Sequence, residues 1–140
     1  MYQQPRVGVA VLMLQQDRLL LGRRLKSPDS DSWQCPGGLL LPGEDLLDCA
    51  ARELREETGL SAGAMSCGPC TNNRFDDGQT HTITLYVVAE YIGGEPRALE
   101  SSSADWGWHP LAQLPTPLFL PLHLLLQSHG DWLQGLVDSY

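Results

Sequence analysis

The chain has 140 residues, 42% hydrophobic and 19% charged, a size and balance that suit one globular domain with a real core. Its 17 acidic and 9 basic residues give a formal charge of −8, which excludes non-specific binding to DNA, RNA or an anionic membrane, because those partners need basic patches. The longest aliphatic run, Leu118 to Leu126, is short and holds Pro121 and His123, and the N-terminus lacks a basic segment followed by an apolar one, so a soluble cytoplasmic protein with no membrane span is expected.

In chain order, Arg6 to Leu14 (RVGVAVLML) reads as a buried strand, and Arg18 to Arg24 (RLLLGRR) as its hairpin partner. Alternation sends Arg23 and Arg24 to opposite faces, so one can reach a bound phosphate while the other stays solvated. Two ordinary surface arginines fit the pattern equally well. Lys26 to Ser32 is a polar loop with Pro28, able to form a rim. Trp33 follows and has two possible uses, stacking on a base or filling a core edge.

The stretch from Gly38 to Leu60 (GLLLPGEDLLDCAARELREETGL) is the most informative. Asp45 to Thr58 is rich in Ala, Leu, Glu and Arg, with Pro42 and Gly43 before it and Gly59 placed to cap it in a left-handed turn. On a helix, Leu47, Ala50, Ala51, Leu54 and Thr58 share an apolar face, and Glu53, Glu56 and Glu57 share its neighbour. Carboxylates three and four residues apart repel by a few tenths of a kcal/mol per pair. A solvated acidic face relieved by Arg52 and Arg55 accounts for this composition. So does a divalent-cation site, because hard cations take carboxylate oxygens and turn the repulsion into attraction.

Beyond the helix, Met65 to Phe75 reads as a strand weakened by Gly68 and Pro69, Asp76-Asp77-Gly78 as a turn, and Thr80 to Ile92 as the clearest strand in the chain. Gly93-Gly94 ends it, and Glu95 to Leu99 begins a shorter return. Asp105 to His109 (DWGWH) is a last strand, Leu111 to Pro117 an irregular connection, and the leucines from Leu118 onward a closing helix interrupted near Gly130. No repeat or linker divides the chain, and strands on both sides of one helix, with another at the end, give an α/β fold whose sheet is covered on both faces. Cys67-Gly68-Pro69-Cys70 has the sequence of a redox centre but follows a helix and precedes a strand, so incidental reduced thiols are expected.

The stretch from Gly38 to Leu60 matches G-x5-E-x7-R-E-U-x-E-E-x-G-U, with U aliphatic, at every fixed position, and so resembles the Nudix box. The opening RVGVAVLML with SWQCPGG, the strand starting His81-Thr82-Ile83-Thr84, and the WGWHPLAQLP ending are similar to the small MutT-like nucleoside-triphosphate diphosphatases of that family. This resemblance implies a single Nudix domain over residues 1–140, an α/β/α sandwich with a mixed sheet, and Mg²⁺-dependent hydrolysis (with Mn²⁺ a possible substitute) of a small nucleotide by a monomer or homodimer.

It implies Glu53, Glu56 and Glu57 as metal ligands, Glu53 as first candidate for the base, Glu44 as a further acid and Arg52 as their organiser. Gly38, His81, Trp33, Leu118, Phe119 and one of Arg23 or Arg24 are the expected substrate contacts. Gly107 stands nearest the place where many relatives carry an acid ahead of the last strand's W-x-P-L segment, which leaves Asp105 and Glu100 as substitutes. Phe75 stands where ADP-ribose hydrolases of the family usually carry proline, so a nucleoside triphosphate is the expected substrate, ahead of dinucleoside polyphosphates, nucleotide sugars and ADP-ribose. A non-catalytic nucleotide-binding Nudix domain is the alternative from another class.

Overall fold

The computed structural model describes residues 1–139. Its strands are β1 (Arg6–Gln15), β2 (Arg18–Arg24), β3 (Trp33–Gln34), β4 (Gly37–Leu39), β5 (Ala62–Arg74), β6 (His81–Tyr91) and β7 (Ser103–Pro110); its helices are α1 (Leu46–Thr58) and α2 (Leu120–Asp138). All seven strands join one mixed sheet with the path β3-β2-β1-β6-β5. Strand β1 runs parallel to β6 from Arg6↔Thr82 to Leu14↔Glu90. Its other edge is divided: Gly8, Val9 and Ala10 pair with β4, and Leu14 and Gln15 pair with β2. Strand β7 covers the outer edge of β2.

Alternation along the strands builds two cores. Val9, Val11 and Met13 of β1 meet Leu20, Val87 and Ala89 on one face, under Cys49, Ala50 and Leu54 of α1. Leu12 and Leu14 meet Leu19, Leu21 and Tyr86 on the other, under Leu122, Leu125 and Leu133 of α2. Helix α1 is capped as its sequence demands. The Asp45 carboxylate accepts from the Leu47 N–H at 3.0 Å, and Gly59, at φ 79°, turns the chain left-handed so that its N–H reaches the Arg55 carbonyl.

Four features differ from the sequence expectation. Residues 33–39, read as a lead-in to the helix, contribute the short strands β3 and β4. Strand β5 begins at Ala62 rather than Met65 and passes through Gly68-Pro69 by shifting register between Cys67 and Cys70. Proline has no N–H for the ladder, so a bulge accommodates it without ending the strand. The expected return over Glu95 to Leu99 is not a strand. It lies along the end of α1, where the N–H groups of Arg97 and Leu99 satisfy the Thr58 and Glu57 carbonyls that the helix leaves open. The closing helix starts at Leu120 rather than Leu118; the interruption expected near Gly130 is present as a kink at His129 (φ −136°, ψ 28°), after which the helix continues to Asp138.

All four cysteines are free, Cys35 and Cys49 buried and Cys67 and Cys70 exposed in the middle of β5. No helix among the described residues is long and apolar enough to cross a membrane.

The packing of β2 against β7 sets a steric test. A Cβ on Gly22 would lie 2.5–2.6 Å from the Trp106 indole, which packs against the α1-side core. Gly22→Ala is expected to cost about 1–3 kcal/mol by displacing that ring, seen as a lower urea midpoint with an unchanged m-value.

Candidate active site

Helix α1 lies against β4 and presents its carboxylates around one guanidinium. Arg52 donates from Nε to Glu44 Oε2 at 2.8 Å and from Nη2 to Glu44 Oε1 at 3.0 Å, a two-pronged pair. Its Nη1 donates to Glu53 Oε1 at 2.8 Å and Glu56 Oε2 at 3.2 Å, and Nη2 also reaches the Leu39 carbonyl at 3.3 Å. The Arg52 hydrogen bond holds the Glu44 carboxyl at about 2, well below the usual carboxylate range. Burial, by contrast, raises Glu53 against the pull of Arg52.

Glu57 has a different environment. It is 5% exposed, and its Oε2 accepts from the Gly37 N–H at 3.0 Å. Burial, with smaller contributions from Glu53 and Glu100, pushes its carboxyl up to about 8 against that hydrogen bond and the charge of Lys26. The close approach of helix and strand depends on glycine. A Cβ on Gly38 would lie 2.5 Å from the Glu53 carboxylate, and one on Gly37 would strike the Val9 carbonyl.

Glu57, Gly37 and Gly38 border a cavity of about 360 Å³ on the α2 side of the sheet. Its wall carries Arg6, Arg24 and Lys26, and its floor is formed by Gly8, Thr82, Thr84 and Tyr86, with Phe75 and Phe119 at the side. Arg24 is buried, donating to the Pro28 and Ser27 carbonyls and to Gln34 Oε1, with its guanidinium 4.3 Å from the centre of the Phe119 ring. Burial lowers its pKa, while Asp29 and Glu57 oppose the shift. Phe119 in turn packs on Phe75, ring centres 5.5 Å apart.

A family profile for the NUDIX domain matches residues 4–133. The chain belongs to the NUDIX family. It is 31% identical over 115 residues to the 8-oxo-dGDP phosphatase NUDT18 of Mus musculus, covering 80% of this chain and 34% of that protein. It is 30% identical over 98 residues to the ADP-ribose pyrophosphatase of Methanocaldococcus jannaschii, covering 70% of this chain and 58% of that one. The chain thus spans between about a third and three fifths of these curated relatives. The crystal structure of a MutT NUDIX hydrolase from Burkholderia pseudomallei superposes with a TM-score of 0.82 at 28% identity, covering 91% of this chain and 99% of the other. The mixed sheet with a helix on each face is the NUDIX fold, and the chain is a NUDIX hydrolase by family.

The sequence-expected substrate contacts separate into two groups. Arg24, Gly38, His81 and Phe119 line the cavity, and Arg23, Trp33 and Leu118 do not. A register shift between Leu21 and Arg23 accompanies the turning of Arg23 outward, where it pairs with Asp31 and Asp105 at 2.8 Å each. Trp33 packs on His109, ring centres 5.2 Å apart, and joins Leu118 at the edge of the α2-side core. Of the two acids named as substitutes outside the NUDIX box, Asp105 is committed to Arg23, whereas the charge of Glu100 acts on both Glu53 and Glu57. The sequence reading missed Thr82, Thr84 and Phe75 as lining residues; the strand alternation of His81 to Tyr91 holds that signal for the two threonines.

The donor set suits a hard dication, since Glu53, Glu56 and Glu57 each keep one carboxylate oxygen outside the hydrogen bonds described. Among the described residues no three acidic, histidine or cysteine side chains converge as a metal centre. The reason is local: Arg52 draws Glu53 and Glu56 to itself, and Glu57 is turned to Gly37.

Glu57 makes the metal-free protein pH-sensitive in a defined direction. Between about 4.5, the ordinary glutamate value, and about 8, the folded chain keeps a proton that the unfolded chain releases, so stability falls as pH rises through this window and levels off above it. Glu57→Gln abolishes the titration and keeps an acceptor for Gly37. In EDTA, the variant is expected to gain on the parent between pH 5 and pH 8.5, by on the order of a few kcal/mol. Urea unfolding at the two pH values measures it, and equal gains at both would show that Glu57 does not titrate in this range.

Proposed function

We propose that this NUDIX hydrolase converts a nucleoside triphosphate and water to the nucleoside monophosphate and pyrophosphate, with Mg²⁺ as the cofactor and Mn²⁺ able to replace it. The observation that carries the reading is the meeting of a buried carboxyl group and cations at one cavity: Glu57 at the glycine end, and Arg6, Arg24 and Lys26 along the wall. A polyphosphate needs both, cations for its own charge and carboxylates for the dication that accompanies it.

In this proposal Glu53, Glu56 and Glu57 hold the dication, with Glu100 as the acid outside the box and Glu44 and Arg52 fixing the carboxylates. When bound, the dication supplies charge neutralisation on the phosphate oxygens and a lowered pKa for water. Lys26 and Arg24 orient the polyphosphate by charge. The absent side chains of Gly37 and Gly38 let β4 lie against β1 and let Glu53 come close to β4, which sets this carboxylate beside the glycine end. Glu53, whose proton affinity is raised by burial, accepts the proton of the attacking water. The new P–O bond forms in line as the anhydride bond to the leaving pyrophosphate breaks. The aromatic side, Phe75 and Phe119, receives the base.

A second reading has a specific observation behind it. The archaeal relative is an ADP-ribose pyrophosphatase, and the same charge arrangement suits the pyrophosphate of a nucleoside diphosphate derivative. The experiment that separates them is a steady-state screen of triphosphates, ADP-ribose, nucleotide sugars and dinucleoside polyphosphates with products identified. The proposal expects the highest kcat/KM for a triphosphate. A tenfold preference for any other class, about 1.4 kcal/mol in transition-state binding, overturns the substrate assignment while leaving the family standing.

Two predictions concern residues. Glu53→Gln and Glu57→Gln should each lower turnover by about two orders of magnitude or more with the fold retained by circular dichroism, and EDTA should abolish activity. Activity surviving both substitutions would remove these residues from the proposal. The double change Cys67→Ser, Cys70→Ser should leave turnover within a few-fold of the parent, because both thiols are exposed on β5 and neither lines the cavity. A larger loss in a folded variant would give the thiols a role.

A further inference from the structure

The cavity has an outer wall that the hydrolytic machinery does not use. Residues 1–5 precede β1 and have no regular structure, yet Gln3 and Gln4 line the cavity. Two hydrogen bonds hold this strap to the turn between β5 and β6. The Tyr2 hydroxyl donates to the Phe75 carbonyl at 2.9 Å, and the Gln3 N–H donates to the Gln79 carbonyl at 2.8 Å. The Tyr2 ring also meets the His81 ring edge-on, centres 6.1 Å apart.

The turn is a firm anchor that does not depend on the strap. The Phe75 N–H donates to the Thr80 carbonyl at 3.0 Å, and the Asp77 carboxylate accepts from the Gln79 and Thr80 N–H groups at 2.8 Å each. The strap has no such internal support. Residues 1–5 contribute no side chain to either core, and Tyr2 is 40% exposed, so burial does not explain its place. The two bonds to the turn and the contact with His81 do.

The strap stands at the end of the cavity away from Glu57. Gly37, whose N–H holds Glu57, pairs with Ala10. From Ala10 to Arg6 is four residues of strand, about 13 Å at the usual rise, and Arg6 pairs with Thr82. The Gln79 carbonyl that anchors the strap precedes His81, where β6 begins, so the strap lies beyond the Arg6–Thr82 pair. Phe75 stands at the same end, bonded to the strap through its carbonyl and presenting its ring to Phe119.

We propose that the segment Tyr2 to Gln4 is the outer wall of the nucleoside end of the cavity, and that Tyr2 is the positioning residue that holds it there. This inference rests on the nucleotide reading of the cavity. With the phosphates beside Glu57, the substrate reaches the strap with its nucleoside, and Gln3 and Gln4 contact that part alone. The strap therefore governs affinity for the nucleoside and takes no part in the chemistry at the carboxylates.

Calorimetry with the α,β-methylene analogues of ATP, GTP, CTP and UTP in Mg²⁺ tests this without turnover, and inorganic tripolyphosphate, which has no nucleoside, is the control. Tyr2→Phe keeps the ring on His81 and removes the hydroxyl. It should weaken binding of every analogue that the parent binds by about three- to tenfold, the factor that one neutral hydrogen bond carries. Deletion of residues 1–4 leaves β1 intact and should cost about tenfold or more. Tripolyphosphate should bind the parent and both variants within about twofold, and for a triphosphate that the parent hydrolyses Tyr2→Phe should raise KM with kcat held within about twofold. Thermal melting identifies a variant that has not folded, and the other then decides. Parent-level binding of the analogues by either folded variant, or tripolyphosphate affinity falling in step with theirs, would overturn the inference and leave the nucleotide reading standing. A parent that binds none of the analogues would overturn both.

Discussion

Five hydrogen bonds from Arg52 to carboxylates and to the Leu39 carbonyl hold the site together. Three glutamates on one helix face and a fourth in the preceding loop would repel one another in an isolated helix. The planar guanidinium removes that repulsion with one side chain, because its donors point in fixed directions that a lysine ammonium cannot reproduce. The acids do not share it equally. Glu44 receives two prongs and is held at about 2, so both its oxygens are engaged by Arg52. Glu53 and Glu56 each receive one bond and keep an oxygen for another partner. Arg52 is anchored on Glu44 and Leu39 independently of its bonds to Glu53 and Glu56.

That arrangement works only if α1 lies close to the sheet. Gly38 allows it on the strand side, Gly37 lets β4 lie against β1, and the Asp45 and Gly59 caps fix where the helix starts and stops. The chain after β6 then returns along the helix end, its N–H groups on the Glu57 and Thr58 carbonyls, which brings the charge of Glu100 to bear on Glu53 and Glu57. Burial of Glu57 thus follows from backbone packing on two sides, and its raised proton affinity follows from burial. The β1 strand, divided between β4 and β2 on one edge, leaves the cavity beside this carboxylate.

The helix and its carboxylate face were legible because period, caps and spacing all agree over Gly38 to Leu60. The β1–β2 hairpin and the long β6 were legible through alternation and β-branched residues. Less legible was anything decided by a neighbour distant in sequence. Gly68-Pro69 argues for a break, yet pairing with β6 carries β5 across it with a bulge. Arg23 and Arg24 look interchangeable in sequence; a register shift against β7 and the acids at Asp31 and Asp105 decide which one faces out. The sequence leaves Trp33 open to stacking on a base or filling a core edge, the commoner fate, and β3 directs it to the core edge, against His109 and the α2 side. Phe119 takes the aromatic place at the cavity because α2 starts just after it, a boundary that leucine spacing does not define.

Net charge and local charge point in opposite directions here, and local charge governs binding. A chain of −8 repels a polyphosphate at long range, but beyond about 8 Å that repulsion is screened at physiological salt. Within the cavity the nearest charges are Arg6, Arg24 and Lys26, and Arg24 is buried, where screening by water is weakest. Its guanidinium is fully engaged by the Pro28 and Ser27 carbonyls, Gln34 and the Phe119 ring, so it contributes a fixed positive field rather than a flexible contact. The same bonds tie the loop between β2 and β3 to the aromatic side of the cavity. One buried arginine therefore shapes the rim, supports the Phe119 ring at the side of the cavity, and supplies positive charge opposite Glu57. Removing it would be felt in the fold of the rim and in anion binding together, which is why its role cannot be reduced to a single phosphate contact.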